Sequence, residues 1–280
     1  MSKTAKPVVV FNRRHLPTEL GDLIAYNDAH MEASEYMMKH VPGVLAFFQS
    51  NDINNRSMVH DVQIFNSFES FMAHVNMEDE QLKQKVMNWI PKYDKSIPFK
   101  GHVFGSWNET VKKMTRDVGN ADFQFVPRSV GYIKQIADMV PGPPVIVYNH
   151  RKVLKGKMKA MLDAMQAYAD YMYQNVPGVM ALTCGIDEND PLLVHDLQIF
   201  ANFDVFVGHA DMKNPKVQKL MSNWIDFKKY DASYPFHGEV WAQRDKIDMI
   251  REMTQKIGGA KFTIYPIEEI QGKYDLNRVW

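Results

Sequence analysis

The sequence predicts an α+β protein made of two tandem ferredoxin-like modules, each with the element order βαββαβ. Three observations predict this fold. A set of motifs occurs twice along the chain, each copy contains strand and helix patterns in this order, and 45% of the residues are apolar, which is ample for two packed cores. An antiparallel sheet with helices on one face must also cover its other face. We therefore expect the two sheets of the chain to pack against each other.

The repeated motifs indicate a tandem duplication. Val-Pro-Gly-Val occurs at 41–44 and 176–179, and Val-His-Asp-x-Gln-Ile-Phe occurs at 59–65 and 194–200, so that each pair lies 135 residues apart. The segments that open the copies, 7–14 and 144–151, are 137 residues apart, as are the Lys-Tyr-Asp motifs at 92–94 and 229–231. Modules of this size are ordinary single domains. We expect a first module over 1–126, a Pro/Gly-rich linker over 127–143 and a second module over 144–280.

The elements follow in the same order in each copy. A short β-branched and aromatic strand comes first, over 8–11 in the first copy. A helix follows and ends at Val-Pro-Gly, because Pro restricts the residue before it and Gly permits the turn. Two strands joined by an Asn/Asp-rich loop come next. A helix that begins near Ser67 or Asn202, a second helical segment, a fourth strand and a helix-plus-strand extension complete the module.

Composition excludes several classes of protein. The formal net charge is zero with no Lys/Arg run, which argues against nucleic acid or a membrane surface as a partner. No apolar stretch is long enough to span a bilayer, and the start of the chain lacks the apolar region of a signal peptide. The single cysteine, Cys184, allows neither an intrachain disulfide nor a cysteine metal cluster. We expect a cytoplasmic protein.

The repeated motifs resemble those of the dimeric α+β barrel superfamily, and most closely its antibiotic-biosynthesis-monooxygenase type of domain. The resemblance rests on Val-Pro-Gly-Val, on the Val-His-Asp-x-Gln-Ile-Phe strand and on the following helix, which contains Phe71 and His74 or Phe206 and His209. It covers the βαββαβ part of each module and leaves out the extensions. The resemblance implies an intrachain pseudo-dimeric α+β barrel, and leaves open whether two chains associate further as a homodimer.

Two residue pairs are candidates for catalysis. The resemblance implies that Asn12 and Asn149, which end the first strand of each copy, point into a pocket and polarise a substrate or an oxygen intermediate. The alternative for these asparagines is ordinary strand-end turn chemistry. His74 and His209 lie on the helix after the third strand and have the chemistry of a general base near neutral pH. Packing between helix and sheet is the alternative for both histidines.

A second group of residues is expected to line a substrate pocket. Strand alternation places Asp61 and Gln63 on one face of the third strand and the valine and isoleucine side chains on the other. We expect the Asp/Gln face to form the barrel lumen and the Val/Ile face to meet the helices. The alternative for the carboxylates and amides is hydrogen bonding that fixes the barrel, and the tryptophans also fit core packing. The candidate pocket residues are Asp61, Gln63, Asp196, Gln198, Trp89 and Trp224.

The sequence contains no recognisable metal or nucleotide motif. No His-x-x-x-His pair, Gly-x-Gly-x-x-Gly motif or P-loop is present. Haem-degrading relatives use a proximal histidine on the second helical segment, where this chain has Gln84 and Lys219. We therefore expect no cofactor and no metal.

Three functions remain open from the sequence. The first is a tandem cofactor-independent monooxygenase, or a related enzyme, that acts on a small apolar or aromatic compound in a dry pocket. The second is a non-catalytic ligand-binding or stress-response barrel. The third, which the resemblance supports least, is a haem-binding protein. Residues present in only one copy, such as His30 and His102, would allow the two pockets to have specialised.

Overall fold

In the computed structural model of the chain, the described residues are 7–16, 19–52, 54–55, 57–90, 96–98, 100–117, 121–133, 144–210, 213–256, 259–267 and 271–274. They divide into two compact units, residues 1–125 with 268–280, and residues 126–267. Each unit contains one six-stranded sheet with its helices. No described helix has the length and apolar character needed to cross a bilayer.

The first module has the predicted order of elements. Its helices and strands are β1 (Val8–His15), α1 (Leu20–His40), β2 (Val44–Asn51), β3 (Met58–Phe65), α2 (Phe68–Asn76), α3 (Glu80–Trp89), β4 (Lys100–Phe104), α4 (Glu109–Asp117) and β5 (Asp122–Val126). A further strand, β6 (Arg128–Ile133), follows directly. The predicted Lys-Tyr-Asp loop of this copy, at 92–94, lies outside the described residues.

The second module repeats this order. Its elements are β7 (Val145–Lys152), α5 (Met158–Asn175), β8 (Val179–Ile186), β9 (Leu193–Phe200), α6 (Phe203–His209), α7 (Pro215–Trp224), β10 (His237–Gln243), α8 (Ile247–Gln255) and β11 (Lys261–Ile267), followed by β12 (Gln271–Tyr274). A 3-10 turn over Phe227–Lys229 lies between α7 and β10. The predicted α+β class and tandem βαββαβ modules are confirmed.

The sixth strand of each sheet comes from beyond the other module. The strand orders are β12-β2-β3-β1-β4-β5 and β6-β8-β9-β7-β10-β11. β6 follows the first module but pairs with β8, whereas β12 follows the second module but pairs with β2. The expected irregular linker over 127–143 is therefore corrected over Arg128–Ile133, because these residues complete the sheet of the second unit. Residues 134–143 lie outside the described part of the chain.

Local chemistry explains where the repeated helices begin and end. Gly43 and Gly178 in the Val-Pro-Gly motifs have φ angles of 78° and 85°, in the left-handed region that glycine tolerates. The side chains of Ser67 and Asn202 accept hydrogen bonds from the backbone N–H groups of Ser70 and Val205, which caps α2 and α6 as the sequence predicts. These turns fix the helices over one face of each sheet.

The helices pack on the face opposite to the one expected. Phe65 and Phe200, which share a strand face with the Asp/Gln residues, contact α2 and α6 through Phe71 and Phe206, with ring centroids 5.3 and 5.5 Å apart. The assignment of the Asp/Gln face to the barrel lumen, and of the Val/Ile face to the helices, is therefore wrong. The physical reason is that apolar residues at both ends of this face bury it against the helices, while an arginine described below compensates the buried carboxylate.

Candidate functional site

The second module contains a cavity of about 780 Å³ between its sheet and its helices. This volume lies in the range of small-molecule binding sites. The apolar walls come from β7, β10, β11 and from α6 to α8: Val147, Phe206, Met221, Ile225, Phe236, Val240, Met253 and Phe262. Exposed residues at the mouth include Ser222, Phe227, Lys228 and Lys256. The cavity is thus an apolar space with a polar entrance.

A polar cluster forms one wall of this cavity. Asn149 and Arg151 are two residues apart on β7, so their side chains share the face that meets the helices. Asp196 on β9 lies directly opposite Asn149 in the strand register. The Arg151 guanidinium forms an ion pair with Asp196 and donates a hydrogen bond from Nη1 to Asn149 Oδ1 at 2.9 Å. The Asn149 oxygen is thereby engaged, and its Nδ2 group is left to donate to a ligand.

Three aromatic rings enclose the Arg151 guanidinium. Its Cζ atom lies 5.0 Å from the ring centroids of Trp224 and Tyr230 and 4.9 Å from that of Phe236. The Tyr230 hydroxyl donates to the Trp224 carbonyl at 2.6 Å, which ties the 3-10 turn region to the end of α7. Arg151 is only 1% exposed, so its charge is held by the rings and by Asp196 rather than by water. Its Nε and Nη2 atoms have no hydrogen-bond partner among the described residues.

Burial shapes the acid–base properties of the ion pair. Desolvation raises the pKa of Asp196 to about 6, and the Arg151 guanidinium limits the rise. The carboxylate is therefore ionised at neutral pH and keeps the arginine neutralised. Cys184 lies opposite Asp196 in the strand register, and burial raises the pKa of its thiol well above the usual range. This cysteine is thus an unreactive thiol in the core.

His209 contributes the other ionisable side chain of the cavity. Its Nδ1–H donates to the backbone carbonyl of Phe206, one turn earlier on α6, and its ring lies 4.3 Å from that of Phe200. This hydrogen bond leaves Nε2 as an acceptor. Burial lowers the pKa of His209 to about 4, and the bond to Phe206 opposes that shift. The imidazole is therefore neutral at physiological pH.

The structure brings most of the second-copy candidates together. Asn149, Gln198, His209 and Trp224 all line the cavity, whereas Asp196 lies behind Arg151. Trp224 also stacks on Tyr168, with ring centroids 5.2 Å apart, so it belongs to both the core and the cavity wall. The Trp224 Nε1 atom has no hydrogen-bond partner among the residues that are described.

The first module contains an equivalent polar cluster with a different surrounding. Asn12 and Asp61 are again paired in the register, and Arg14 forms an ion pair with Asp61. His30 Nε2 lies 3.7 Å from Asp61 Oδ1, and Gln49 accepts a hydrogen bond from Tyr26 at 3.1 Å. The second module has Met165 and Cys184 at the positions of His30 and Gln49, so its cluster has more apolar neighbours.

The remaining first-copy candidates are more dispersed. Gln63 is buried on β3, between Val10 on β1 and Phe47 on β2 in the register. His74 lies on α2 with its ring 5.3 Å from that of Phe65, and burial lowers its pKa to about 4. The side chain of Trp89 lies outside the described part of the chain.

Arg14 and Arg151 are the site residues that the sequence interpretation missed. Both are buried, with 1% exposure. The signal was present, because the opening segments 7–14 and 144–151 both end in arginine. The three cage residues are repeated as well: Trp89, Tyr93 and Phe99 stand where the second copy has Trp224, Tyr230 and Phe236.

The face of the second sheet that points away from the cavity contains a hydrogen-bond chain. His195 Nε2 lies 2.8 Å from Asp187 Oδ2, and its Nδ1 lies 2.7 Å from the Tyr148 hydroxyl. The neighbouring Asp196 points to the other face, as strand alternation predicts for the His-Asp pair. The chain ties β7 and β9 to the loop after β8. No three His, Cys, Asp or Glu side chains in the described ranges are grouped to hold a metal ion.

Comparisons with known proteins agree on the fold. No family model matches the chain, and no curated protein matches it in sequence. A "putative monooxygenase" from Lactobacillus acidophilus superposes with a TM-score of 0.55 at 10% identity over 82% of this chain and 91% of its own. A second, from Fusobacterium nucleatum, gives 0.52 at 12% identity over 83% and 90%. The likeness shows that the chain has the fold of the dimeric α+β barrel superfamily, as the sequence resemblance predicts.

Proposed function

We propose that the cavity of the second module is the active site of a monooxygenase that oxidises a small aromatic compound with O2 and without a bound cofactor. The observation that carries the proposal is the set of four buried polar side chains, Asn149, Arg151, Gln198 and His209, within the otherwise apolar cavity of about 780 Å³. Buried polar groups that face a cavity require partners, and a ligand with oxygen acceptors supplies them. The described monooxygenase neighbours share this fold and support the same class of reaction.

The proposed substrate is an aromatic compound with an acidic methylene or phenol group, such as an anthrone or a quinol. The neutral His209 accepts the substrate proton on Nε2. The donors of Asn149 and Arg151 stabilise the negative oxygen of the resulting anion, and the absence of bulk water strengthens these interactions. The low pKa of His209 makes it a good proton donor once it is charged.

The anion then supplies both electrons for the reaction. For a methylene substrate, the carbanion carbon forms a bond to O2, and His209 returns its proton to the peroxide. Loss of water breaks the O–O bond and leaves a ketone, so one substrate molecule and one O2 give one ketone and one water. The step needs no outside reductant because the substrate loses two electrons and two protons.

The duplication provides matched controls for a test. Oxygen uptake by the full chain is measured with a panel of anthrones and quinols, and the products are identified by mass spectrometry. Asn149→Ala and His209→Gln should each lower kcat by about 10²-fold. Asn12→Ala and His74→Gln, which make the same changes in the first module, should leave it within about threefold, a difference of under 1 kcal/mol. A larger effect of the first-module variants would overturn the assignment of the site.

The non-catalytic alternative predicts a different result. If every compound is inert while one of them still binds in the cavity, the protein is a ligand-binding barrel. Haem binding is tested by titration, since a Soret shift would reveal it. The position of the proximal histidine in haem-degrading relatives is held by Lys219, which is exposed on α7 and does not line the cavity.

A further inference from the structure

The mouth of the second-module cavity contains lysines with no carboxylate partner. Lys228 and Lys256 line the mouth and are exposed, and within the described residues neither forms an ion pair. Other lysines of the same module do form them, such as Lys152 with Asp190 at 2.8 Å and Lys159 with Asp163 at 2.6 Å. Positive charge at the mouth is therefore available to a ligand.

The carboxylate at the mouth is already engaged. Asp226 lies at the start of the 3-10 turn, and its Oδ1 accepts a hydrogen bond from the backbone N–H of Lys228 at 3.1 Å. This capping role holds the carboxylate against the turn. Phe227, the next residue, is 51% exposed at the same rim, with its ring 5.8 Å from that of Phe236 inside. The rim thus combines an aromatic ring with uncompensated lysines.

The basic character extends along the chain that forms the mouth, and it is specific to the second copy. Residues 213–229 contain five lysines and one aspartate, a formal charge of +4. The equivalent residues 78–92 contain three lysines, two glutamates and one aspartate, a formal charge of zero, and the whole chain is also neutral. A local excess of this size attracts anions and increases their concentration near the cavity.

The interior of the cavity lacks this excess. Arg151 is neutralised by Asp196, His209 is neutral, and the walls are mainly aliphatic and aromatic. Apolar surface at depth and net positive charge at the entrance are complementary to a molecule with the same division. Such a molecule has a ring-containing apolar body and an acid group at one end.

We propose that the cavity selects an amphipathic organic anion, whose ring-containing body lies among the apolar walls and whose acid group lies between Lys228 and Lys256 at the mouth. This inference rests on the proposed function, since it names the substrate class of the same site. It narrows that class from aromatic compounds in general to those with a carboxylate or a comparable acid group remote from the reacting ring.

Two fluorescent dyes of similar shape test the inference on the full chain. The dye 8-anilinonaphthalene-1-sulfonate is anionic, whereas N-phenyl-1-naphthylamine has nearly the same ring system without the charge. The double variant Lys228→Gln/Lys256→Gln should weaken binding of the anionic dye about tenfold and leave the neutral dye within about twofold. Raising the NaCl concentration should weaken only the anionic dye in the unmodified protein.

The control variant Lys155→Gln/Lys159→Gln removes the same charge from exposed positions outside the cavity lining. It should leave the affinity for both dyes unchanged. Equal effects of the two double variants on the anionic dye, or equal loss of both dyes in the mouth variant, would overturn the inference. So would co-sedimentation with phosphatidylglycerol vesicles that the mouth variant abolishes, because the lysines would then be a membrane contact.

Oxygen uptake separates this inference from the proposed function. If anionic dye binding depends on the two lysines but no aromatic acid is oxidised, the ligand class stands and the monooxygenase proposal fails. If neutral anthrones are oxidised as well as their carboxylated analogues, with no effect of the lysine changes, the enzyme proposal stands and the ligand class is wrong.

Discussion

Replacing Arg151 by Met should destabilise the second module strongly, and by an amount that depends on pH. The methionine keeps apolar contact with the three aromatic rings but leaves the Asp196 carboxylate buried without its counter-ion. Arg151 and Asp196 are 1% and 0% exposed. Removal of one partner from a buried ion pair costs about 3–5 kcal/mol because a bare charge remains in the interior. We expect a loss of this size in the free energy of unfolding at pH 8.

The pH dependence follows from the raised pKa of Asp196. Its folded-state pKa is about 6, above the unfolded value of 3.8, so the folded protein binds the additional proton between these values. At pH 5 the carboxyl group is largely protonated in the folded state, with or without the arginine. The loss caused by Arg151→Met should therefore shrink between pH 8 and pH 5.

A double-mutant cycle in urea measures the coupling. The variants are Arg151→Met, Asp196→Asn and the double variant, and hydrogen exchange of β7 and β9 reports on the second module alone. Asp196→Asn should recover about 2 kcal/mol in the Arg151→Met background, since it removes the unpaired charge. Additive effects at pH 8, or a loss that grows from pH 8 to pH 5, would refute the reasoning.

Three further outcomes test other parts of the structure. Gly238→Ala should cost about 1–3 kcal/mol in thermal unfolding, because its Cβ would lie 2.4 Å from the ring of Phe262; Gly208→Ala, in a helix with open space around it, should instead stabilise by about 0.5–1 kcal/mol. The pKa of His209, lowered to about 4 against 6.5 when unfolded, should cause stability to fall as the pH drops through this window, and His209→Gln should flatten the melting-temperature profile there. Tyr148→Phe should cost about 1–3 kcal/mol in urea unfolding by leaving a buried imidazole nitrogen without its donor; an unchanged midpoint would show that water replaces it.

The fold followed from the sequence because its determinants are local. Strand and helix periodicity, the caps at Ser67 and Asn202 and the positive φ angles at Gly43 and Gly178 all arise within a few residues. The order of elements was therefore predictable. The position of β6 was not, because its partner strand lies about fifty residues away in sequence and its pairing depends on tertiary contacts.

The site was only partly predictable. Repetition singled out Asn149, Gln198 and His209, which line the cavity. The choice of strand face failed because both faces of β9 contain apolar residues, so alternation alone does not distinguish them. Arg151 was missed since charged residues are ordinarily exposed, and the cage that permits its burial comes from separate elements.

The origin of β12 has a consequence for synthesis on the ribosome. The edge of β2 is complete only when β12 emerges, and 220 residues separate Asn51 from Gln271. At about 5–20 residues per second, this strand edge waits roughly 10–40 s for its partner. The second unit has all six of its strands once Ile267 has been made. The module that is started first is therefore finished last, and its open edge is where a chaperone or a neighbouring nascent chain would first bind.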